Sequence, residues 1–312
     1  MHYLVARIFF IAALVLVAPQ LIAAAQDDDT GITPKQAHER ASLLCEALHD
    51  LPARRKQECC GARNASLAAL CTTALAESLG ASRTLVDADA IERCGKASAR
   101  ELVGCEWAGP LQPGLPAACS GLIVGQMERG ATCQSSLECR DGLYCQGVSP
   151  LGAGVCAAPA RVGARCEFPA DNLAAYARAE GDPRHPSCEG ICLRGRCLAK
   201  LAEGGACSGS AQCAGGRNCI SGQCRDTALF AQGAACSSSA ECAAGNLCID
   251  KNCGAHKPGA ASGRLPFECR SLECRKADGE DSGVCVDACA VSAVRSTQLG
   301  PRSIALDGDP AL

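Results

Sequence analysis

Aromatic side chains are scarce in this sequence. Phe, Trp and Tyr together make up 3% of its 312 residues, and Trp107 is the single tryptophan. Because large side chains bury the most apolar area, a deep hydrophobic core cannot extend along the whole chain. Cysteine is abundant instead, with 27 residues. Closing a loop of about 15 residues with a disulfide contributes about 3 kcal/mol, so crosslinks are expected to replace much of that core.

The motifs of several enzyme classes are also missing. No Cys-x-x-Cys pair occurs, although zinc ribbons and thioredoxin-like redox centres require that spacing. There is neither a Gly-x-Ser-x-Gly nucleophile elbow nor a Gly-rich phosphate-binding loop. His38 and His49 fall on the polar side or at the end of a predicted helix, where histidine is ordinarily solvated. We therefore predict no catalytic residue, cofactor or metal ligand, and a protein that is not an enzyme.

An excess of positive charge is absent as well. The chain has 30 Lys and Arg residues against 33 Asp and Glu residues, a net charge of -3 at pH 7. Binding to a phosphate backbone requires clustered basic residues. Nucleic acid is therefore not an expected partner.

The N-terminus has the features of a secretory signal. Residues 1–7 are short and basic, residues 8–17 are apolar, and Ala23, Ala24 and Ala25 suit signal-peptidase cleavage. We predict a signal peptide at residues 1–25 and an acidic linker at 26–32, with a retained membrane anchor as the alternative. Together with the cysteine density, this predicts a secreted protein, periplasmic or extracellular. No membrane span is expected after cleavage.

A helical, cysteine-bearing unit is predicted at residues 33–119. Apolar residues recur there at intervals of three and four, and capping and breaking residues divide the region into three helices. In chain order the boundary signals are Thr33 with Pro34, then Pro52, Asn64, Gly80 and Asp87. Leu67, Leu70, Cys71, Ala74 and Leu79 are expected on one face of the second helix.

The seven cysteines of this unit raise two questions of pairing. If the third helix is continuous, Cys94 and Cys105 lie about 16 Å apart and must pair elsewhere, with Cys119 as one option. The adjacent residues Cys59 and Cys60 are expected to have different partners, because a vicinal disulfide is strained. A redox-active vicinal pair is the alternative.

Since the total of 27 is odd, one thiol is free or linked to another chain, for example in a Cys-linked dimer. We expect that thiol in the helical unit.

Clusters of four cysteines repeat along the rest of the chain. Residues 204–224 and 233–253 have identical cysteine spacing, and residues 130–156 share its opening intervals. Residues 163–197 form a degenerate copy with an insertion at 167–187, and residues 269–289 form an altered cluster. The tail at 290–312 is predicted to be disordered. Gly142, Gly216 and Gly245 occupy one position in three copies, where a positive φ would let the chain turn.

Structural disulfides are predicted for all twenty cysteines of these clusters. They are Cys133, Cys139, Cys145, Cys156, Cys166, Cys188, Cys192, Cys197, Cys207, Cys213, Cys219, Cys224, Cys236, Cys242, Cys248, Cys253, Cys269, Cys274, Cys285 and Cys289. Four cysteines allow three connectivities in each cluster, and the sequence does not choose among them.

The repeats resemble a known family. The motif is Gly-x-x-Cys, a Ser-rich gap, Glu-Cys as in Glu138-Cys139 and Glu241-Cys242, and Gly-x-Cys as in Gly222-Gln223-Cys224. It is similar to the N-terminal cysteine-rich domain of the Dickkopf family and, more loosely, to EB-type modules. The whole arrangement resembles secreted proteins of Gram-negative soil bacteria. The resemblance implies a disulfide-rich fold and an extracellular setting. It implies no receptor, because the second, colipase-like domain of animal Dickkopf proteins has no match here.

The predicted fold class is therefore small disulfide-rich repeats, with short β-hairpins and little other regular structure, preceded by a small α-helical cysteine-crosslinked unit. The predicted function is non-enzymatic: a recognition or spacer module for an unknown protein or cell-envelope ligand. Stiff loops at residues 134–137, 208–211 and 237–240 are the candidate contacts.

Two alternatives come from other classes of function. A protease inhibitor could present the insertion at 167–187, which contains Arg178 and Arg184. A thiol oxidoreductase could use Cys59 and Cys60.

Overall fold

The computed structural model describes residues 32–61, 65–105, 107–109, 113–167, 170–243 and 246–289. The predicted signal peptide, Asn64, Gly245 and the tail at 290–312 lie outside these residues, as does all of the acidic linker except Ile32. Thirteen disulfides join 26 of the 27 cysteines. The fold is rich in disulfides, with short antiparallel strand pairs and a small helical N-terminal region.

Five α-helices lie in the described residues: α1 Pro34–Cys45, α2 Leu51–Cys60, α3 Ala68–Gly80, α4 Ala88–Glu101 and α5 Asn172–Tyr176. The strands are β1 Thr84–Val86, β2 Ile123–Gly125, β3 Thr132–Cys133, β4 Tyr144–Gln146, β5 Gly154–Ala157, β6 Ile191–Leu193, β7 Arg196–Leu198, β8 Asn218–Ile220, β9 Gln223–Arg225, β10 Asn246–Ile249, β11 Asn252–Ala255, β12 Ser262–Gly263, β13 Cys274–Arg275 and β14 Gly283–Cys285. All of the strand pairs are antiparallel. None of the described helices is both long and apolar enough to cross a bilayer.

The first helix starts as predicted but does not end at Pro52. Thr33 and Gln36 form a reciprocal capping box, in which Thr33 Oγ accepts from the Gln36 backbone N–H. After α1 the chain makes a π-helical turn, Glu46–Asp50, and continues into α2. Pro52 stands in the first turn of α2, where its missing N–H costs little. The wider π-turn accommodates a ring that would break a regular helix, so the predicted boundary is wrong.

The buried face of α3 agrees with the predicted one in part. Cys71, Leu75 and Leu79 are buried, whereas Leu67 and Leu70 are exposed by 39% and 51%. The prediction is confirmed for Cys71 and Leu79 and is wrong for Leu67 and Leu70, because the core contacts a face centred on Cys71, Leu75 and Leu79.

Helix α4 is held by an N-terminal cap and by a disulfide. Asp87 caps the helix by accepting from the Ala90 N–H at 3.0 Å. The helix ends at Glu101, before Cys105, so the two cysteines are not on one continuous helix. As expected, they do not pair with each other: the disulfides are Cys94–Cys119 and Cys59–Cys105.

The largest hydrophobic core lies in the helical region but is completed by residues from farther along the chain. Leu44, Leu75 and Leu79 are at most 2% exposed, and burying each contributes about 1.5–3 kcal/mol. Leu137 and Leu173 belong to the same core. The repeats therefore share an interior with the helices. The smaller cores of the later repeats consist mainly of cysteines.

Each repeat is a module with the same backbone plan. We define modules 1–5 as residues 127–156, 160–197, 201–224, 230–253 and 257–285. The first residue of each module forms a parallel bridge with a cysteine farther along: Met127 with Cys139, Ala160 with Cys188, Leu201 with Cys213, Phe230 with Cys242 and Lys257 with Cys269. In modules 1–4 the first cysteine bonds to the third and the second to the fourth. The structure thus selects one of the three connectivities that the spacing allowed.

Module 5 departs from this plan because it lacks the first cysteine. Gly263 pairs with Gly283 in the register in which Cys133 pairs with Gly154 in module 1. Cys274 lies opposite Cys285, and a Cβ on Gly263 would lie 3.6 Å from the Cys274 sulfur. Gly263 therefore occupies the position of the missing partner of Cys274.

Two sequence predictions are corrected by this arrangement. Cys274 was predicted to form a disulfide, but it is the free cysteine of the chain. The odd thiol was expected in the helical unit and lies in module 5 instead. Of its cluster, Cys269 bonds to Cys285, and Cys289 bonds to Cys60 in the helical region.

Candidate functional site

The segment between the first and second cysteines of a module is held by one recurring clasp. The residue before the second cysteine turns its side chain back and accepts a hydrogen bond from the backbone N–H four residues earlier. The pairs are Glu138 with Gln134 at 2.7 Å, Gln212 with Ser208 at 2.8 Å, Glu241 with Ser237 at 2.8 Å and Glu268 with Arg264 at 3.1 Å. The Glu-Cys dipeptides of the sequence contain these glutamates, but the sequence alone did not reveal that their side chains accept these hydrogen bonds.

A serine fixes the same segment from the other side. In three modules its hydroxyl accepts from the backbone N–H of the third cysteine: Ser136 from Cys145 at 3.2 Å, Ser210 from Cys219 at 3.0 Å and Ser239 from Cys248 at 3.0 Å. Clasp, serine and disulfide act on one short stretch, so it loses little conformational entropy when a partner binds.

The three predicted contact loops differ in accessibility. In residues 208–211 and 237–240, both end residues of each loop are exposed. In residues 134–137, Ser135 and Leu137 are 0% and 1% exposed. The loop of module 1 therefore offers less contact surface, because Leu137 packs into the helical core and Gln134 alone is exposed.

Glu138 anchors that packing. Its carboxylate accepts from the Ser78 hydroxyl at 3.0 Å and lies 3.2 Å from Arg83 Nε. All three side chains are largely or fully buried. A buried carboxylate with both a cation and neutral donors is a stable arrangement. Module 1 is thereby joined to the end of α3.

Glu241 performs a similar task between two modules. Its second oxygen accepts from the Ser221 N–H at 2.8 Å, in the hairpin turn of module 3. The hydrogen bonds from the Ser237 backbone and hydroxyl, followed by those from Ser221 and Ser238, lower the pKa of Glu241 to about 2. One carboxylate thus closes its own loop and also holds the neighbouring module.

The insertion of module 2 connects modules 1 and 2 with the helical region. Asp171 caps α5 by accepting from the Ala174 N–H at 3.0 Å, and its other oxygen accepts from the Ser136 N–H at 2.6 Å. Leu173 and Ala174 enter the helical core. Insertion residues thus bridge two other parts of the fold.

The two arginines of the insertion are engaged in contacts. Arg184 pairs with Asp182 at 2.6 Å and donates to the Gly121 carbonyl at 3.0 Å. Arg178 donates to the carbonyls of Leu48 and Pro113 at 3.4 and 2.5 Å. Both side chains are partly buried. An inhibitor loop would have to project such a side chain into a protease, so these contacts do not favour the inhibitor alternative.

His49 is buried, contrary to the expectation of a solvated residue. It is 5% exposed, and its Nε2 contacts the Tyr176 carbonyl at the end of α5. Burial lowers the pKa of His49 below 6.5, and the positive charge of Arg178 acts in the same direction, whereas the bond to Tyr176 opposes the shift. The neutral ring is therefore favoured where the insertion meets the helices.

A cavity of about 370 Å³ lies between the insertion and the helical region. Leu44 and Leu48 line it from one side, Leu122 and Ile123 from another, and Arg178 contributes a cationic side chain. Volumes of about 300–1,000 Å³ are common for small-molecule sites. Sequence reasoning missed this cavity, because its walls come from segments far apart in the chain.

The cysteines provide no vicinal redox centre. Cys59 bonds to Cys105 and Cys60 bonds to Cys289, as the expectation of separate partners required. The thiol oxidoreductase alternative therefore lacks the disulfide on which it was based.

Clusters of sulfur atoms occur within three modules. The groups are Cys133 with Cys139 and Cys156, Cys207 with Cys213 and Cys224, and Cys236 with Cys242 and Cys253, with sulfurs within 4.8 Å of one another. Every one of these cysteines is in a disulfide. Metal binding requires thiolates, so the proximity arises from stacked disulfides.

Comparison with known proteins adds no family to this description. No family model, curated protein or solved structure matches the chain. The similarity to Dickkopf and EB-type modules stays a prediction from the cysteine motif.

Proposed function

We propose that this protein is a non-enzymatic, secreted recognition or spacer module that acts outside the cytoplasm. The observation that carries the proposal is the recurrence of one stapled plan in five modules, with the same bridge at each module start. The thirteen disulfides are consistent with an oxidising extracellular or periplasmic compartment.

The accessible loops of modules 3 and 4 are the proposed contact sites. Residues 208–211 and 237–240 have the same backbone clasp and are presented by consecutive modules. Two equivalent loops in one chain raise the effective concentration of the second contact once the first has formed. A protein or cell-envelope ligand with a repeated epitope would suit this arrangement.

Site-specific crosslinking tests the proposal. A photo-crosslinking residue at Ala211 or Ala240, both exposed, is placed in the oxidised full chain, which is then incubated with cell-envelope fractions. Asp226 is exposed outside both loops and serves as the control position. We expect one saturable adduct, shared by positions 211 and 240 and not formed from position 226.

Two results would oppose this assignment. Equal crosslinking from all three positions indicates nonspecific adhesion. Absence of saturable binding, combined with a reproducible activity of the oxidised chain in a hydrolase panel, would show that the protein is an enzyme.

A further inference from the structure

The cavity beside the insertion combines aliphatic side chains with four charged residues, Arg178, Glu180, Asp182 and Arg184. Leu44 and Leu48 line the cavity but are each 2% exposed, so they form its closed floor and offer little accessible surface. The accessible aliphatic surface comes from Leu115 and Leu122, which are partly exposed and lie before β2. Such a surface favours a hydrocarbon chain over a polar ligand.

Arg178 is a cation of this cavity whose hydrogen-bond partners are all neutral. Both of its hydrogen-bond acceptors are backbone carbonyls, and no carboxylate of the described residues forms an ion pair with it. Arg184, by contrast, is neutralised by Asp182. Partial burial lowers the pKa of Arg178, which shows that the environment disfavours the charge. An anion in the cavity would offset this cost.

The backbone at Arg178 is left-handed at the end of α5. Its φ is 56°, and it follows the end of α5, where the Ala179 N–H returns to the Ala174 carbonyl. Glycine is the usual residue at this left-handed helix end, because other residues are strained there. This turn carries the chain from α5 into residues 179–184, which line the cavity.

We propose that this cavity binds a free fatty acid, with the alkyl chain against Leu115 and Leu122 and the carboxylate beside Arg178. Guanidinium groups match carboxylates in geometry and charge. Of the acidic residues that line the cavity, Asp182 is paired with Arg184 and Glu180 is exposed to solvent. The inference goes beyond the proposed recognition function and does not depend on it.

Calorimetry on the oxidised full chain tests the charge requirement. Decanoate is expected to bind saturably, one molecule per chain. Decanol has the same chain length without the charge and is expected to bind at least about tenfold more weakly, because the charge-assisted bond is lost. Equal binding of the two compounds, or no saturable binding of decanoate, would overturn the proposal.

Variants test the location. Arg178→Met should reduce decanoate affinity to the level of decanol, and Arg178→Lys should restore most of it. Arg194→Met is the matched control, because Arg194 is exposed and also has a positive φ of 50°; its binding should be unchanged. Leu122→Trp should abolish binding of both compounds by filling the cavity. Undiminished decanoate binding by Leu122→Trp would overturn the location even if Arg178→Met failed to fold.

A vesicle assay separates a free fatty acid from a membrane surface. Vesicles of anionic phospholipid are offered to the same chain without decanoate. We expect no cosedimentation. Cosedimentation that Arg178→Met removes, together with no response to decanoate, would assign Arg178 to membrane binding and refute the proposed ligand.

Discussion

Cys60 and Cys289 form a disulfide that spans 229 residues of sequence. Cys60 ends α2, and Cys289 follows module 5, so the bond links the last module back to the helical region. A second contact supports this junction: a Cβ on Gly109 would lie 3.2 Å from the Arg270 carbonyl. The five modules are therefore linked to the helical region at both ends, by the backbone before module 1 and by this disulfide after module 5.

Removing this bond should release module 5 without unfolding it. The change is the double substitution Cys60→Ser with Cys289→Ser, since a single one would leave a second thiol able to exchange with the disulfides. Amide exchange by mass spectrometry should increase around Gly109 and Arg270. Protection within module 5 should persist, because Cys269–Cys285 remains.

The control for this experiment removes Cys269 and Cys285 together. That variant should lose protection throughout module 5. If the first double variant shows unchanged exchange at the junction, the long-range bond does not hold module 5 to the helices.

Restoring the missing cysteine should complete module 5. Gly263→Cys is expected to bond with Cys274, which would close a loop of about 12 residues and stabilise the module by about 2–3 kcal/mol. Thiol titration of the denatured, unreduced protein should fall from one free thiol to none. The melting temperature should rise.

Gly263→Ala separates the effect of sulfur from that of crowding. A Cβ at this position would lie 3.1 Å from the Cys269 sulfur, so alanine alone should be neutral or destabilising. A free thiol count of two in Gly263→Cys would contradict the assignment of Gly263 to the first-cysteine position.

Glu241 should make the joint between modules 3 and 4 sensitive to acid. Because its folded pKa of about 2 lies below the ordinary value of 4.5, its contribution is complete above pH 4.5 and is lost as the pH falls toward 2. Glu241→Ala should cost about 1.5–3 kcal/mol at pH 7. Protection of the Ser221 and Ser237 amides against exchange, followed by NMR between pH 2 and 7, measures the effect.

Glu241→Gln provides the matched control for charge. Gln212 already makes the equivalent clasp in module 3, so glutamine should preserve the loop and remove the dependence on pH between 4.5 and 2. A wild-type profile that is flat across this range would contradict the role of Glu241.

His49 should produce a second pH dependence, closer to neutrality. Its folded pKa lies below 6.5, so the neutral ring stabilises the fold fully above pH 6.5. This contribution should decline as the pH falls from 6.5 toward the folded pKa. Chemical denaturation at pH 5 and pH 8, without reductant, measures the difference. His49→Gln should remove this component, whereas His38→Gln should not, because His38 is exposed.

The cysteine spacing and local capping signals predicted much of the local structure. Thr33 and Asp87 cap their helices, and Gly142 and Gly216 have positive φ values of 80° and 73°. Pro52 led to a wrong helix end, because the π-turn before it lets the chain continue into α2. The clasp by Glu138 was also missed, since a Glu before a cysteine does not show where its side chain turns.

The sequence alone therefore determined the local features: the repeated turns, the starts of the helices, and the use of disulfides where large aromatic side chains are scarce. Only tertiary structure decided which sulfurs pair, that Gly263 leaves Cys274 without a partner, and that Leu48 and Arg178 meet at one cavity. The physical reason is the separation in sequence over which each interaction acts. Dihedral preferences and caps act within a few residues, whereas disulfides and cavities depend on segments that approach only after the chain has folded.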